Sequence, residues 1–377
     1  MRIGFDGKRA VQNFTGLGNY SRYVADILCH FYPENDYVLY APKKRENKRM
    51  NLLTGQYRQL TLAYPATFFW KKLSSLWRVW GITSQLEKEC IELFHGLSNE
   101  LPLNIHKSRI KSIVTIHDLI FLRYPQYYQS IDRKIYTYKF RKACENADKI
   151  IAISECTKRD IIRYFNIPDD KIEVVYQGCD VSFTHPVTEE KKEEVRKKYQ
   201  LPDHYILNVG SIEERKNILA AVQALPMLPQ HIHIVIVGRR TGYTEKVEQF
   251  IKDNGLGERV HIISNVPFND LPAFYQSAEI FVYPSRFEGF GIPIIEALYS
   301  GIPVVAATGS CLEEAGGPDS IYVNPDDITG LADAFKQIYS NSDKRKNMVE
   351  KGREFAKRFS EKQQSEEIIN IYKKLIR

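Results

Sequence analysis

Two carboxylates, Glu288 and Glu296, stand eight positions apart in FEGFGIPIIE (Phe287–Glu296), with a Gly-Phe-Gly turn and a proline between them. The turn follows an Ile/Val-rich run that reads as a buried strand. Pro293 suits the first position of a helix, where its missing N–H would be unpaired anyway. That puts Glu296 in the first helical turn and lets Ile294, Ile295 and Leu298 face a core. Gly289 and Gly291 let the backbone pass close to a ligand, and a helix start offers N–H groups to an anion. Each acid alone has a plainer role: Glu296 complements the helix dipole, and Glu288 is a solvated strand-end residue. Yet a carboxylate can accept two hydrogen bonds from a vicinal diol. A nucleotide sugar presents a sugar, a diphosphate and a ribose in series. The stretch then fits as a whole: Glu288 for sugar hydroxyls, the N–H groups of Gly289, Phe290, Gly291 and Ile292 for oxygens between, and Glu296 for the ribose.

A strand must carry this corner, and the chain supplies many. YILNVGS, HIHIVIVG, RVHIIS, EIFVYPS and GIPVVAA recur through the second half, separated by helix-compatible segments such as KNILAAVQAL and YTEKVEQFIKD. Continuous apolar strands alternating with helices indicate a parallel sheet covered on both faces. The first half repeats the pattern in MRIGFDG, DYVLYAP, IELFHG, KSIVTIHD, DKIIAIS and KIEVVYQ, with YSRYVADILCHFY (20–32) as a helix. The expectation is an α/β protein of two Rossmann-like domains facing a cleft, where open sheets bind ligands at strand carboxyl ends. The boundary falls in Asp180–Gln200, where TEEKKEEVRKKYQ is a solvated linker or helix; the final segment, SEKQQSEEIINIYKKLIR, is an amphipathic helix.

The bulk numbers agree. A chain of 377 residues suggests two domains, and 43% hydrophobic with 26% charged residues excludes disordered and fibrous classes. No apolar run is long enough for a signal peptide or a spanning helix, so the sequence reads as cytoplasmic. Six scattered cysteines form no C-x-x-C pair and read as reduced packing residues, with no metal site. The net charge of +7 is uneven: residues 1–185 carry 28 Lys+Arg against 19 Asp+Glu, and the remainder 25 against 27. The first half therefore either meets an anionic partner or simply has a basic surface. No motif points to nucleic acid.

The stretch PSRFEGFGIPIIEALYSGIPVVAA resembles retaining glycosyltransferases of family 4, which have the GT-B architecture. VGSIEERKN (209–217), FHG (94–96), VTIHDL (114–119), ADKIIAISECTKRDII (147–162) and TGLGNYSRY (15–23) resemble further landmarks of that family, in its order and along nearly the whole chain. The resemblance implies an N-terminal acceptor domain (1–185), a C-terminal nucleotide-sugar domain (186–357) and a last helix (358–377) returning to the N-terminal domain. It implies a GDP- or UDP-sugar donor, no required cofactor or metal, and transfer with retention to a glycan or polyprenyl-linked acceptor in cell-surface polysaccharide synthesis. The RKN segment leans towards the mannosyltransferase branch.

Residue by residue, Lys216 matches the lysine that neutralises the leaving diphosphate, a role in which a cation stabilises charge growing in the transition state. Many relatives carry an arginine where this chain has Ser211. Arg215 either replaces that charge or points elsewhere. His117 matches a histidine near the transferred sugar, with a satisfied strand-end histidine as the plainer reading. With Lys216 and Glu288 it completes the catalytic set. Asp118 contacts acceptor or caps a helix; Ser154 does the same, with the cap the simpler role. Gly16 and Gly18 match a loop that approaches the diphosphate, or serve turn chemistry alone.

Three other readings compete. GLGNYS could suggest a dinucleotide site, but it lacks the third glycine, and Asp36 precedes the second strand instead of ending it. A nucleotide-sugar epimerase or a silent sugar-binding module would share the fold. Separately, YPATFFWKKLSSLWRVWG (64–81) interleaves Phe68, Phe69, Trp70, Trp77 and Trp80 with Lys71, Lys72 and Arg78. It reads either as an interfacial segment at the inner face of an anionic membrane or as an ordinary helix with a core tryptophan.

Overall fold

Alternation along each strand decides how the first sheet is covered. Ile3 and Phe5 of β1 (Arg2–Asp6) and Tyr37 and Leu39 of β2 (Asp36–Tyr40) point into one buried cluster. Val38 and Tyr40 point into another, with Phe94 of β4 (Leu93–Gly96) and Val114 and Ile116 of β5 (Lys111–Ile116). Both faces are therefore sealed, as a parallel sheet requires. With β3 (Leu60–Ala63), β6 (Lys149–Ala152) and β7 (Ile172–Val174), the strand order is 3-2-1-4-5-6-7, every pair parallel. The order reverses between β1 and β4.

The computed structural model describes residues 1–376. They divide into two units, one of Met1–Tyr176 with the stretch from Glu361 onward, the other Gln177–Ser360. The second unit holds β8 (Tyr205–Val209), β9 (His233–Val237), β10 (Val260–Ile263), β11 (Ile280–Tyr283), β12 (Val304–Ala307) and β13 (Ile321–Val323). Their order is 10-9-8-11-12-13, again parallel throughout, with the reversal between β8 and β11. The chain thus has the two Rossmann-like sheets that the strand pattern suggests.

Several local expectations shift. The division falls at Tyr176, ahead of residue 185, and the returning segment begins at Glu361 rather than 358. The polar run forms the helix Glu189–Tyr199, capped by the Thr188 hydroxyl, which accepts from the Lys191 N–H. The first long helix is Gly16–Phe31, so Gly16 and Gly18 lie inside it and not in a loop before it. Two short strands, β3 and β13, carry too little apolar sequence to announce themselves. The final helix, Glu361–Ile376, buries Ile368, Ile369, Ile371 and Tyr372 in the first unit's core.

Candidate active site

In the second unit the candidate residues follow the two strands that flank the reversal, β8 and β11, at their carboxyl ends. This is the position at which open α/β sheets hold ligands. After β8, Gly210 takes φ +155°, and a Cβ there would crowd the Lys216 ammonium at 3.3 Å. Gly238, ending β9, is more tightly constrained: a Cβ would sit 1.7 Å from the Gly210 carbonyl oxygen. The chain then forms a short 3-10 turn, Glu214–Lys216, which aims two cations at the segment after β11.

Glu288 receives both. Its carboxylate lies 2.8 Å from Arg215 Nη1 and 3.2 Å from Lys216 Nζ. Ser285 Oγ donates to it at 2.8 Å and the Tyr283 hydroxyl at 3.2 Å, while Lys216 Nζ donates to that hydroxyl at 2.9 Å. Arg215 also donates to the Phe287 carbonyl, and the Arg286 N–H donates to the Arg215 carbonyl. Burial works to raise the Glu288 pKa, but Lys216 and Arg215 overcome it and hold it at about 2. Burial works against both cations too, and Glu288 holds them above their ordinary values. The trio is permanently charged, with one net positive charge. Arg215 thus points at Glu288, whereas the Ser211 hydroxyl donates to Glu213 at 2.6 Å.

The backbone after Glu288 turns into the helix Ile292–Ser300, with Gly291 as its N-cap. A Cβ on Gly291 would press on Ala315 at 2.9 Å. Gly289, Phe290 and Gly291 are buried, and Ile292 is partly so. Phe290 packs edge-on against Phe359 at 5.6 Å. The Cys311 thiol reaches the Glu288 and Phe290 carbonyls, each at 3.0 Å; it can donate to only one at a time. It is thus a brace for the turn as well as a packing residue. Pro293 takes the second helical position, not the first, and Glu296 lies just past the first turn. The dipole explanation for Glu296 weakens accordingly, since that effect fades beyond one turn. Glu296 instead accepts from the Tyr275 hydroxyl at 2.6 Å. Burial, with a smaller push from Asp180, raises its pKa to about 7 against the Tyr275 bond.

In the first unit, His117 follows β5 and is buried. Its Nε2 lies 2.9 Å from the Leu97 carbonyl. A carbonyl only accepts, so Nε2 carries the proton and Nδ1 is the ring's acceptor. Tyr20 meets the ring edge-on at 4.6 Å, and the Asn99 side chain accepts from the His117 N–H at 2.7 Å. Burial lowers its pKa to about 4, with Arg9 adding to the effect against the Leu97 bond. His117 is neutral at physiological pH. Asp118 accepts from the Ile120 N–H at 3.2 Å, and Ser154 Oγ accepts from the Thr157 N–H at 3.0 Å as a helix cap. Gly18 has no room for a side chain, since a Cβ would fall 2.0 Å from the Asn13 carbonyl oxygen; Gly16 is exposed and unconstrained. Among the described residues, no group of three His, Cys, Asp or Glu is placed to hold a metal ion.

The sequence reading missed Tyr283, Ser285, Tyr275, Cys311 and Gly238. Gly238 carried a legible signal, a glycine closing the IVIV strand. The others are ordinary strand-end or loop residues until the fold brings them to the two glutamates.

Comparison with known proteins also divides the chain in two, between residues 183 and 189. Residues 189–355 match the family described as glycosyl transferases group 1, and residues 21–183 match glycosyltransferase family 4. The chain is 31% identical over 289 residues to the O-antigen chain mannosyltransferase B of Escherichia coli, covering 75% of this chain and 74% of that one. It is 29% identical to the O-antigen chain mannosyltransferase RfbU of Salmonella typhimurium, covering 60% of each. Among solved structures, Anabaena HepE in complex with UDP and glucose superposes with a TM-score of 0.77 at 18% identity, over the whole of both chains. The lipopolysaccharide glycosyltransferase WaaG superposes with a TM-score of 0.71 at 15% identity, over 98% of this chain and 99% of that one.

Proposed function

Because this chain belongs to the family 4 glycosyltransferases of the GT-B fold, we propose that it moves a hexose, with mannose favoured, from a nucleoside diphosphate sugar to a glycan or polyprenyl-linked glycan, retaining the anomeric configuration. The observation that carries this reading is the clamp on Glu288 by Lys216, Arg215 and Ser285 beside the start of helix Ile292–Ser300. A diphosphate entering that corner competes with Glu288 for the two cations and meets the helix N–H groups. Glu288, still held by Ser285 and Tyr283, is then freed to accept hydroxyls of the sugar. Glu296 takes the ribose diol.

In the transfer, the bond from the anomeric carbon to the diphosphate oxygen breaks, and the bond to the acceptor oxygen forms on the same face. The acceptor proton goes to the departing phosphate oxygen. Lys216 and Arg215 stabilise the charge that grows there. Glu288, fixed as an anion, does not donate a proton. His117, neutral with Nδ1 as acceptor, suits a hydrogen bond from a sugar or acceptor hydroxyl. Asp118 and Ser154 hold the backbone beside it. The two mannosyltransferase relatives support mannose, hence a GDP-sugar, while the UDP of HepE supports the wider donor class. We assign the acceptor to the N-terminal unit and place the reaction in the cytoplasm, where nucleotide sugars are made.

A thermal-shift screen of GDP-, UDP- and ADP-sugars tests the donor, since a ligand that binds the native state raises its stability. Incubation with the stabilising sugar and a lipid-linked glycan then tests transfer. Free altered sugar without acceptor would point to an epimerase, and binding without turnover to a silent module.

A further inference from the structure

Segment 64–81 resolves into two stripes with different fates. Trp70, Ser74 and Trp77 turn inward: Trp77 is fully buried and donates to Gln85 Oε1 at 3.1 Å, and Trp70 rests on Gly81, where a Cβ would lie 2.6 Å from its ring. Arg78 is also committed, forming ion pairs with Asp6 and Glu100. On the other side, Phe69, Leu73, Leu76 and Trp80 recur at helical spacing and face solvent; Phe69 is 60% exposed and Trp80 48%. Phe68 beside them is 73% exposed, with the Lys72 ammonium over its ring. A surface helix ordinarily sets a polar face opposite its buried one. Here three short helical pieces, Phe68–Lys72, Ser74–Leu76 and Trp77–Gly81, carry large apolar side chains on the solvent side as well as the buried side, and Lys71 and Lys72 are exposed beside them.

Helix Ser130–Asn146 repeats the arrangement. It packs inward through Ala143 and Cys144, yet exposes Ile131, Ile135 and Tyr138 at the same spacing. The two segments are neighbours in the same unit, because Glu100 pairs with Arg78 of one and Lys139 of the other. Most of the exposed large apolar side chains among the described residues lie in these two segments. Residues 64–81 hold three cations and no acid, and 130–146 hold five cations and two acids. Among the described residues, the ion pairs of the two segments are made by Arg78, Lys139 and Lys142, and Lys71, Lys72 and Lys134 take no part in them.

We infer that the two stripes form one docking surface for an anionic lipid bilayer, lying in its interface with the apolar side chains among the acyl chains and the lysines among the headgroups. A second copy of this chain is disfavoured because it would set one cationic face against another. Among the described residues no helix is long and apolar enough to cross a membrane, so the contact is peripheral. The inference depends on these side chains and not on glycosyl transfer; a protein that binds vesicles and transfers nothing leaves it intact.

The test is cosedimentation of the full chain with phosphatidylcholine vesicles, with and without phosphatidylglycerol. The wild type should pellet with the anionic vesicles and be released by salt. Combined Phe69→Ser, Leu76→Ser and Trp80→Ser substitutions should weaken binding at least about tenfold, as should Ile131→Ser with Ile135→Ser. All of these side chains are exposed, and an unchanged melting temperature confirms that each variant folds. Wild-type protein left in the supernatant, or variants that pellet equally well, would overturn the inference. So would loss of self-association in the variants, which would identify the stripes as an interface between copies.

Discussion

Glu296→Gln should make the protein more stable at mildly alkaline pH and weaken its grip on the donor. The carboxylate is partly buried against the Tyr275 hydroxyl, and burial raises its pKa from 4.5 to about 7. The sign follows from proton binding. Between those values the folded protein keeps a proton that the unfolded chain has lost, so stability falls as pH rises through the interval. The contribution is fully present below 4.5 and gone above about 7. At about 1.36 kcal/mol per pH unit, the displacement amounts to roughly 3 kcal/mol. Glutamine can still accept from Tyr275 but does not titrate. Calorimetry of both proteins from about pH 4.5 to about pH 8 should show the variant gaining roughly 3 kcal/mol on the wild type. That corresponds to about 6–12 °C in Tm for a unit of this size. Titration with a nucleoside diphosphate sugar should show the reverse: wild-type affinity rises with pH as the carboxylate ionises, and the variant binds about 10–100 times more weakly. If the stability gap between the two proteins is the same at both ends of the pH range, the carboxylate does not titrate as described. If donor affinity is unchanged, Glu296 does not hold the ribose.

Lys216→Ala should lower kcat by about 10²–10³ with the fold intact, and near-normal turnover would remove its leaving-group role. Glu288→Ala leaves Arg215 and Lys216 facing each other without their shared anion, so urea denaturation should show a loss of about 3 kcal/mol; Glu288→Gln should abolish transfer at a smaller cost. Gly238→Ala forces a Cβ against the Gly210 carbonyl; we expect a loss of about 1–3 kcal/mol and weaker donor binding, and a variant crystallising with both loops unmoved would contradict this. His117 is neutral throughout the physiological range, so kcat should show no inflection near the ordinary histidine value, and an inflection there abolished by His117→Asn would refute that assignment.

The sheets were legible because their strands are long, apolar and bounded, and because parallel sheets buried on both faces leave continuous Ile/Val runs. The strands β3 and β13 escaped notice, since three or four residues carry no period. Glu288, Lys216 and the glycine turn were legible because ligand chemistry limits which residue types can stand there. Their supports were not. Tyr275 becomes a partner of Glu296 only when two helices meet, and Cys311 becomes a brace only when a loop from β12 passes under the turn. The aromatic segment shows the limit most clearly. Its composition announced an amphipathic element, but only the fold tells Trp77, which is core, from Trp80, which is surface. A variant built on Trp70 would have removed an anchor for Gly81 and tested the wrong face.

The last helix bears on the order in which the protein comes into being. Tyr372 bonds His95 at 2.6 Å, His95 bonds Thr115 at 2.8 Å, and Thr115 meets the Tyr20 hydroxyl at 3.2 Å, all in the first unit's interior. On the ribosome, the strands of that unit are complete at Tyr176, while the helix that closes their core begins at Glu361. At roughly 5–20 residues per second, the intervening unit takes about 10–40 s to emerge. For that interval the nascent first unit holds its sheet with the apolar seat of Ile368, Ile369 and Tyr372 uncovered. The second unit can finish folding before the first, and the open seat is the surface that a holdase chaperone would find on the growing chain.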